Sequence, residues 1–221
     1  MPSWNVHIAH VERLLAQEGA EALGIRDVNC FLYGNLLPDV YVGYLVHDLT
    51  REIKYVVTHV SEVEPIPVPD FGKFWERYVA DADGARVCSD LTLGCWAHLV
   101  CDATYNAATR EWLAAHGLVP GEEARIAKQS DFALFGRTLG ISTCPVATEE
   151  LRRQCAEFPQ YEVDWQDVLA SIEVARRTVE ESGSPKTGNV LHFSLFTEEF
   201  FEKTTRACHE RLKEGLLGLA R

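Results

Sequence analysis

The sequence has no apolar run long enough to cross a membrane, no CxxC pair, no internal repeat, no low-complexity tract and few positive charges. Each absence excludes something. The most apolar stretch, residues 91–100, is interrupted by His98, whereas a spanning helix needs about 18 or more apolar residues. The amino-terminal Met1-Pro2-Ser3-Trp4-Asn5-Val6-His7 lacks a basic segment followed by an apolar core, so no secretory signal is expected. Seven scattered cysteines, an odd number, read as buried thiols in a reducing cytoplasm and not as a disulfide framework. Only 21 Lys and Arg stand against 33 Asp and Glu, a net charge of −12, which argues against a broad nucleic-acid surface. No Lys- and Arg-rich amphipathic stretch is present either, so neither membrane insertion nor membrane docking is expected.

What is present is ordinary globular composition, 47% apolar and 24% charged, in 221 residues. That length suits one domain, residues 1–221, with a sizeable core. Helical periodicity dominates. Ser3 is a candidate N-cap for a helix in which Trp4, Ile8, Val11 and Leu15 share a face until Gly19. Further helices are expected over 28–37 (ended by Pro38), 71–82, 89–116, 122–139, 148–156, 166–181 and 196–217. The segment 62–70 holds Pro65, Pro67 and Pro69 and reads as an extended connector, and 182–188 as a flexible loop. Only 55–60 and 190–193 look strand-like. The expected fold class is all-α, a single multi-helix domain whose central helix, 89–116, is apolar almost all round between Leu91 and Cys101.

That helix carries His98-Leu99-Val100-Cys101-Asp102. A spacing of four puts imidazole and carboxylate on one face, roughly 5–6 Å apart at Cβ, which suits two ligands of one metal and equally a simple hydrogen-bonded pair. The apolar surroundings strengthen the metal reading without settling the choice, because an unpaired buried Asp is costly. Alone, His7 reads as a core or boundary histidine, Asp39 in Leu37-Pro38-Asp39 as a Pro-Asp turn, and Lys128 with Asp131 as a surface pair. His10 fits no pattern.

Taken in order, the motifs are Trp4-x-x-His7, Gly34-Asn35-x-x-Pro38-Asp39, Thr58-His59, Leu93-Gly94-x-x-Ala97-His98-Leu99-x-x-Asp102 and Lys128-Gln129-x-Asp131-Phe132. This order and spacing resemble the zinc-dependent phospholipase C and single-strand nuclease superfamily, chiefly its small bacterial cytoplasmic phospholipase C-like branch. The matched positions run from residue 4 to residue 132 of 221. The resemblance implies an all-α fold around zinc, with His7, Asp39, His59, His98 and Asp102 as ligands and Asp102 placed to bridge two ions. It also implies hydrolysis of a small phosphate ester by a metal-activated water, which Asp39 orients or deprotonates, with Lys128 steadying a phosphate.

The chain departs from that pattern in two respects. Trp4 is internal, so an amino-terminal ligand is not expected. After Asp102 only His116, His192 and His209 occur, and none has a Glu four residues on. Asp131, with His192, is the candidate substitute, and one or two zinc ions are expected instead of three. Two other readings stay open: a non-catalytic metal- or ligand-binding member of the same fold, and an HD-type metallophosphohydrolase centred on His47-Asp48.

Overall fold

The computed structural model describes residues 2–81, 83–182 and 192–219. In chain order the helices are α1 Trp4–Glu18, α2 Val28–Gly34, α3 Leu37–Val40, α4 Tyr55–Thr58 and α5 Phe71–Tyr78, then α6 Asp90–Ala115, α7 Glu122–Gly136, α8 Glu149–Ala156, α9 Trp165–Ser182 and α10 Glu198–Leu219. Among the described residues there is no strand, only an isolated bridge between Ala80 and Arg86. The all-α expectation holds. No helix among the described residues is long and apolar enough to cross a membrane.

Local chemistry accounts for most boundaries. The side chains of Asp27, Asp70, Ser89 and Thr148 each accept a backbone N–H from the first turn of α2, α5, α6 and α8. Gly19 closes α1 with φ 78°, a left-handed conformation that glycine adopts without cost. Ser3 sits at the N-cap position of α1, but its hydroxyl donates to the Phe132 carbonyl instead of capping the helix.

Two expectations need correction. Pro38 does not end a helix: α2 stops at Gly34, and Pro38 lies in the first turn of α3, where its missing N–H is no loss. Asp39 therefore projects from a helix and not from a bend. The segment 55–60 is α4 and its C-cap, not a strand, because its hydrogen bonds run locally, from His59 N–H to the Tyr55 carbonyl. The 182–188 loop lies, from residue 183 onward, outside the described residues. So do 190 and 191 of the second strand-like segment, while His192 and Phe193 are in no strand.

Helix α6 is the centre of the molecule. Every residue from 90 to 106 is buried, with α2 packed most closely against it, then α10 and α5. Glycine makes the α2–α6 approach possible. A Cβ on Gly94 would stand 2.1 Å from the Phe31 carbonyl oxygen and 2.8 Å from the Asn35 nitrogen, and one on Gly34 would stand 2.0 Å from the Leu91 oxygen. These neighbours are backbone and cannot swing away. Gly94→Ala is therefore expected to cost more than about 3 kcal/mol in urea unfolding, because overpacking outweighs the roughly 1 kcal/mol that alanine gains in helix propensity. A cost below 1 kcal/mol would mean the two helices do not approach this closely.

Candidate metal centre

Three helices and one helix cap send side chains to a common point beside the α2–α6 contact. His7 comes from α1, Asp39 from α3, His59 from the C-cap of α4, and His98 and Asp102 from successive turns of α6. The three imidazoles and Asp102 are fully buried, and Asp39 is 2% exposed. His7 Nε2 lies 3.4 Å from Asp102 Oδ1, and its ring stacks on His98 with centroids 4.0 Å apart. His59 Nε2 lies 3.5 Å from Asp39 Oδ1, 3.4 Å from Asp102 Oδ2 and 3.1 Å from His98 Nε2. His98 Nε2 lies 3.8 Å from Asp39 Oδ1.

The outer hydrogen bonds fix the tautomers. His98 Nδ1 lies 2.9 Å from the Asn35 carbonyl, a pure acceptor, so Nδ1 carries the proton and Nε2 a lone pair. Thr58 Oγ1 donates to the Tyr55 carbonyl and so accepts from His59 Nδ1 at 2.7 Å, which puts the lone pair of the neutral His59 ring on Nε2 as well. With both rings in the neutral form, two lone pairs face each other across 3.1 Å, an arrangement that repels unless a proton or a metal cation lies close to both. Burial, followed by the neighbouring His7, pushes His98 down to about 3, so it does not supply that charge by protonating.

Five further buried atoms have no hydrogen-bond partner among the described residues: both ring nitrogens of His7, both oxygens of Asp39, and Asp102 Oδ1. Orphaned polar atoms are rare in native interiors and cost about 1–3 kcal/mol each. Burial raises both carboxyls, and the surrounding imidazoles outweigh it. His7, His98 and His59 hold Asp102, and His98 and His59 hold Asp39, below the usual carboxylate range. Ionised carboxylates facing imidazole nitrogens form a donor set for a cation. Ligands about 2.0–2.1 Å from a tetrahedral zinc stand roughly 3.3–3.4 Å from one another, close to the spacings here. One ligand atom each from His7, Asp39 and His98, and likewise from His59, His98 and Asp102, lie within 4.8 Å of one another. These groups can hold a metal ion.

The structure brings together five of the six residues that the sequence nominates as ligands. The sixth, Asp131, is elsewhere. Its two oxygens accept hydrogen bonds from the backbone N–H groups of Ser194, Leu195 and Phe196 and from the Ser194 hydroxyl. A carboxylate used four times over has no lone pair left to aim at a metal. Asp131→Ala is expected to cost about 3 kcal/mol or more by stranding buried N–H groups, while leaving metal stoichiometry unchanged. Loss of metal in that variant would restore Asp131 as a ligand.

Neither Lys128 nor Asp131 is a surface residue. Lys128 is buried, which lowers its pKa, and Nζ donates to Asn106 Oδ1 at 3.0 Å. His192 is exposed, as are His47 and Asp48 in the turns after α3, and none of the three joins the cluster.

Sequence reasoning missed the residues that orient the ligands. Tyr55 stacks on His59 with centroids 3.7 Å apart and donates to Asp102 Oδ2 at 2.8 Å. Asn35 accepts from His98 and donates from Nδ2 to the His7 carbonyl at 3.0 Å. The Tyr55-x-x-x-His59 spacing is the signal that could have found Tyr55. Compared with protein-family models, curated proteins and solved structures, the chain gives no match.

Proposed function

We propose that this centre holds zinc and that the protein is a zinc-dependent hydrolase of a small phosphate ester. The donor set carries the reading. Structural zinc sites are mostly built from cysteine, whereas three imidazoles with two carboxylates and no thiolate are the hard and borderline ligands of hydrolytic centres. When bound, zinc supplies a nucleophile at neutral pH by lowering the pKa of water from about 16 to about 7, and it offsets charge on phosphoryl oxygens.

The chain's own residues divide the remaining work. Asn35 and Thr58 hold the His98 and His59 rings with Nε2 inward, and Tyr55 fixes the Asp102 carboxylate. Asp39, whose oxygens have no hydrogen-bond partner among the described residues, is the group we assign to orient a water and accept its proton. A cleft of about 710 Å³ opens beside α4, lined by Val56 and Val60 and by Lys73, Arg77 and Arg110. Arg110 is paired with Glu64. Lys73 and Arg77, one turn apart on α5, are the cations we assign to the phosphate, in place of the inward-turned Lys128.

One observation favours a second reading, a metal-binding protein without turnover: every ligand is at most 2% exposed, so a substrate reaches the centre only if α4 shifts. The junction with the cleft is Val60, a β-branched residue held at φ 49°, a conformation that costs about 1–2 kcal/mol. Relief of that strain gives α4 a reason to move.

Two measurements decide between the readings: metal analysis of protein purified without added zinc, and turnover of nitrophenyl phosphodiester and monoester substrates. Zinc-dependent turnover that falls at least about 100-fold in Asp39→Asn, the scale of a general base, supports the hydrolase. Stoichiometric metal with no turnover of either ester supports the binding protein, and absence of any bound metal overturns both.

A further inference from the structure

One turn along α1 and α6 from the first centre lies a second cluster, of different chemistry. His10 follows His7 by three residues, and Cys101 follows His98 by three. Cys208 reaches the same point from α10. One ligand atom from each of the three lies within 4.8 Å of the others, and all three residues are buried.

The imidazole is set for a ligand. His10 Nε2 is engaged by the Tyr105 hydroxyl at 3.2 Å, and that hydroxyl is held in turn by Thr205 Oγ1 at 2.9 Å. Nδ1 has no hydrogen-bond partner among the described residues, although His10 is only 3% exposed. A buried nitrogen without a partner, on a residue whose ring stands within 4.8 Å of two thiol sulfurs, costs free energy unless something satisfies it. A route in exists: a cleft of about 340 Å³ reaches His10 and Tyr105.

We propose that His10, Cys101 and Cys208 form a second metal site, which binds a thiophilic d10 cation, Cu+ or Zn2+. Two thiolates and one imidazole are soft and borderline donors, which select these ions over magnesium, calcium or manganese. Around zinc, sulfur at about 2.3 Å and nitrogen at about 2.0–2.1 Å stand roughly 3.5–3.8 Å apart, so a small inward movement of the three side chains closes the shell. Both thiols lose their protons on binding. With three donors among the described residues, Cu+, which accepts three-coordination, needs no further ligand, whereas Zn2+ would complete its shell with water.

The two centres are separable by spectroscopy, because only the second contains sulfur. Reduced, metal-stripped protein is loaded with Co2+ as the zinc probe, or titrated with Cu+ against a bicinchoninate indicator. A thiolate-to-cobalt charge-transfer band marks the zinc arm, and withdrawal of one equivalent of Cu+ from the indicator marks the copper arm. Either signal is expected to disappear in Cys208→Ser and to persist in Asp39→Asn, a change confined to the first centre. On the wild-type chain, bound metal is expected to protect Cys101 and Cys208 together from alkylation, a readout that does not depend on the variant folding. Absence of both signals overturns the proposal. So does a signal unchanged in folded Cys208→Ser, or protection of other cysteines in place of this pair.

Discussion

Asp102→Asn is expected to lower zinc affinity by on the order of 1,000-fold or more, and to abolish metal-dependent turnover with it. Asparagine keeps the shape of aspartate, so the effect isolates charge and donor chemistry. Asp102 is the only carboxylate in the cluster approached by both His7 and His59, at 3.4 Å through different oxygens. The variant amide loses the negative charge and turns two N–H donors toward a site built from lone pairs. Altering a residue that merely orients a ligand typically costs 10- to 100-fold, so loss of a direct ligand is expected to exceed that range. Tyr55→Phe provides the graded comparison. It removes the hydrogen bond to Asp102 Oδ2 but no ligand, and is expected to fall within about 10- to 100-fold. Competition against a chelating dye, with helicity checked by circular dichroism, measures both. If folded Asp102→Asn binds zinc as tightly as the wild-type chain, Asp102 is not a ligand.

The sequence announced this ligand through spacing, and the limits of that signal are instructive. His98 and Asp102 are legible because four residues is the repeat of a helix, and because α6 is apolar enough that a buried carboxylate demands an explanation. His7, Asp39 and His59 show nothing comparable: each sits on a different element, and only their order along the chain points to a shared site. Asp131 illustrates the converse failure. Its type and its helix are right, but the partners that consume its oxygens lie more than 60 residues away in a segment without periodicity. The α4 turn is not legible because Val56 and Val57 favour strands in general, while four residues in a turn obey local hydrogen bonds. Pro38 is ambiguous in the sequence because a proline stops one helix and starts another equally well. Cys101 and Cys208 were legible only as buried thiols, because nothing in a spacing of 107 residues links them.

Chelation followed by acidification tests the electrostatics of the centre as a whole. Metal at about 1,000 times its dissociation constant stabilises the folded state by about 4 kcal/mol, which for a chain of this size corresponds to roughly 8–16 °C in the unfolding midpoint. Removing it also returns the orphaned atoms of His7, Asp39 and Asp102 to an uncompensated state. The stripped protein then has a characteristic pH dependence. Burial and His7 depress His98 from 6.5 to about 3, so between those values the unfolded chain binds the proton and the folded chain does not. Stability therefore falls as pH drops through this window, by up to about 1.4 kcal/mol per unit. Asp39 and Asp102, held below their usual value of 3.8, extend the loss to lower pH with the same sign. In the loaded protein, protons compete with the cation for these same nitrogens and oxygens, so the direction is unchanged and the slope steeper. Urea unfolding from pH 7.5 to 5, with and without chelator, reads both effects. A stripped protein equally stable across that range would mean that His98 accepts a proton inside the fold, and then the two opposed imidazole nitrogens would no longer require a metal.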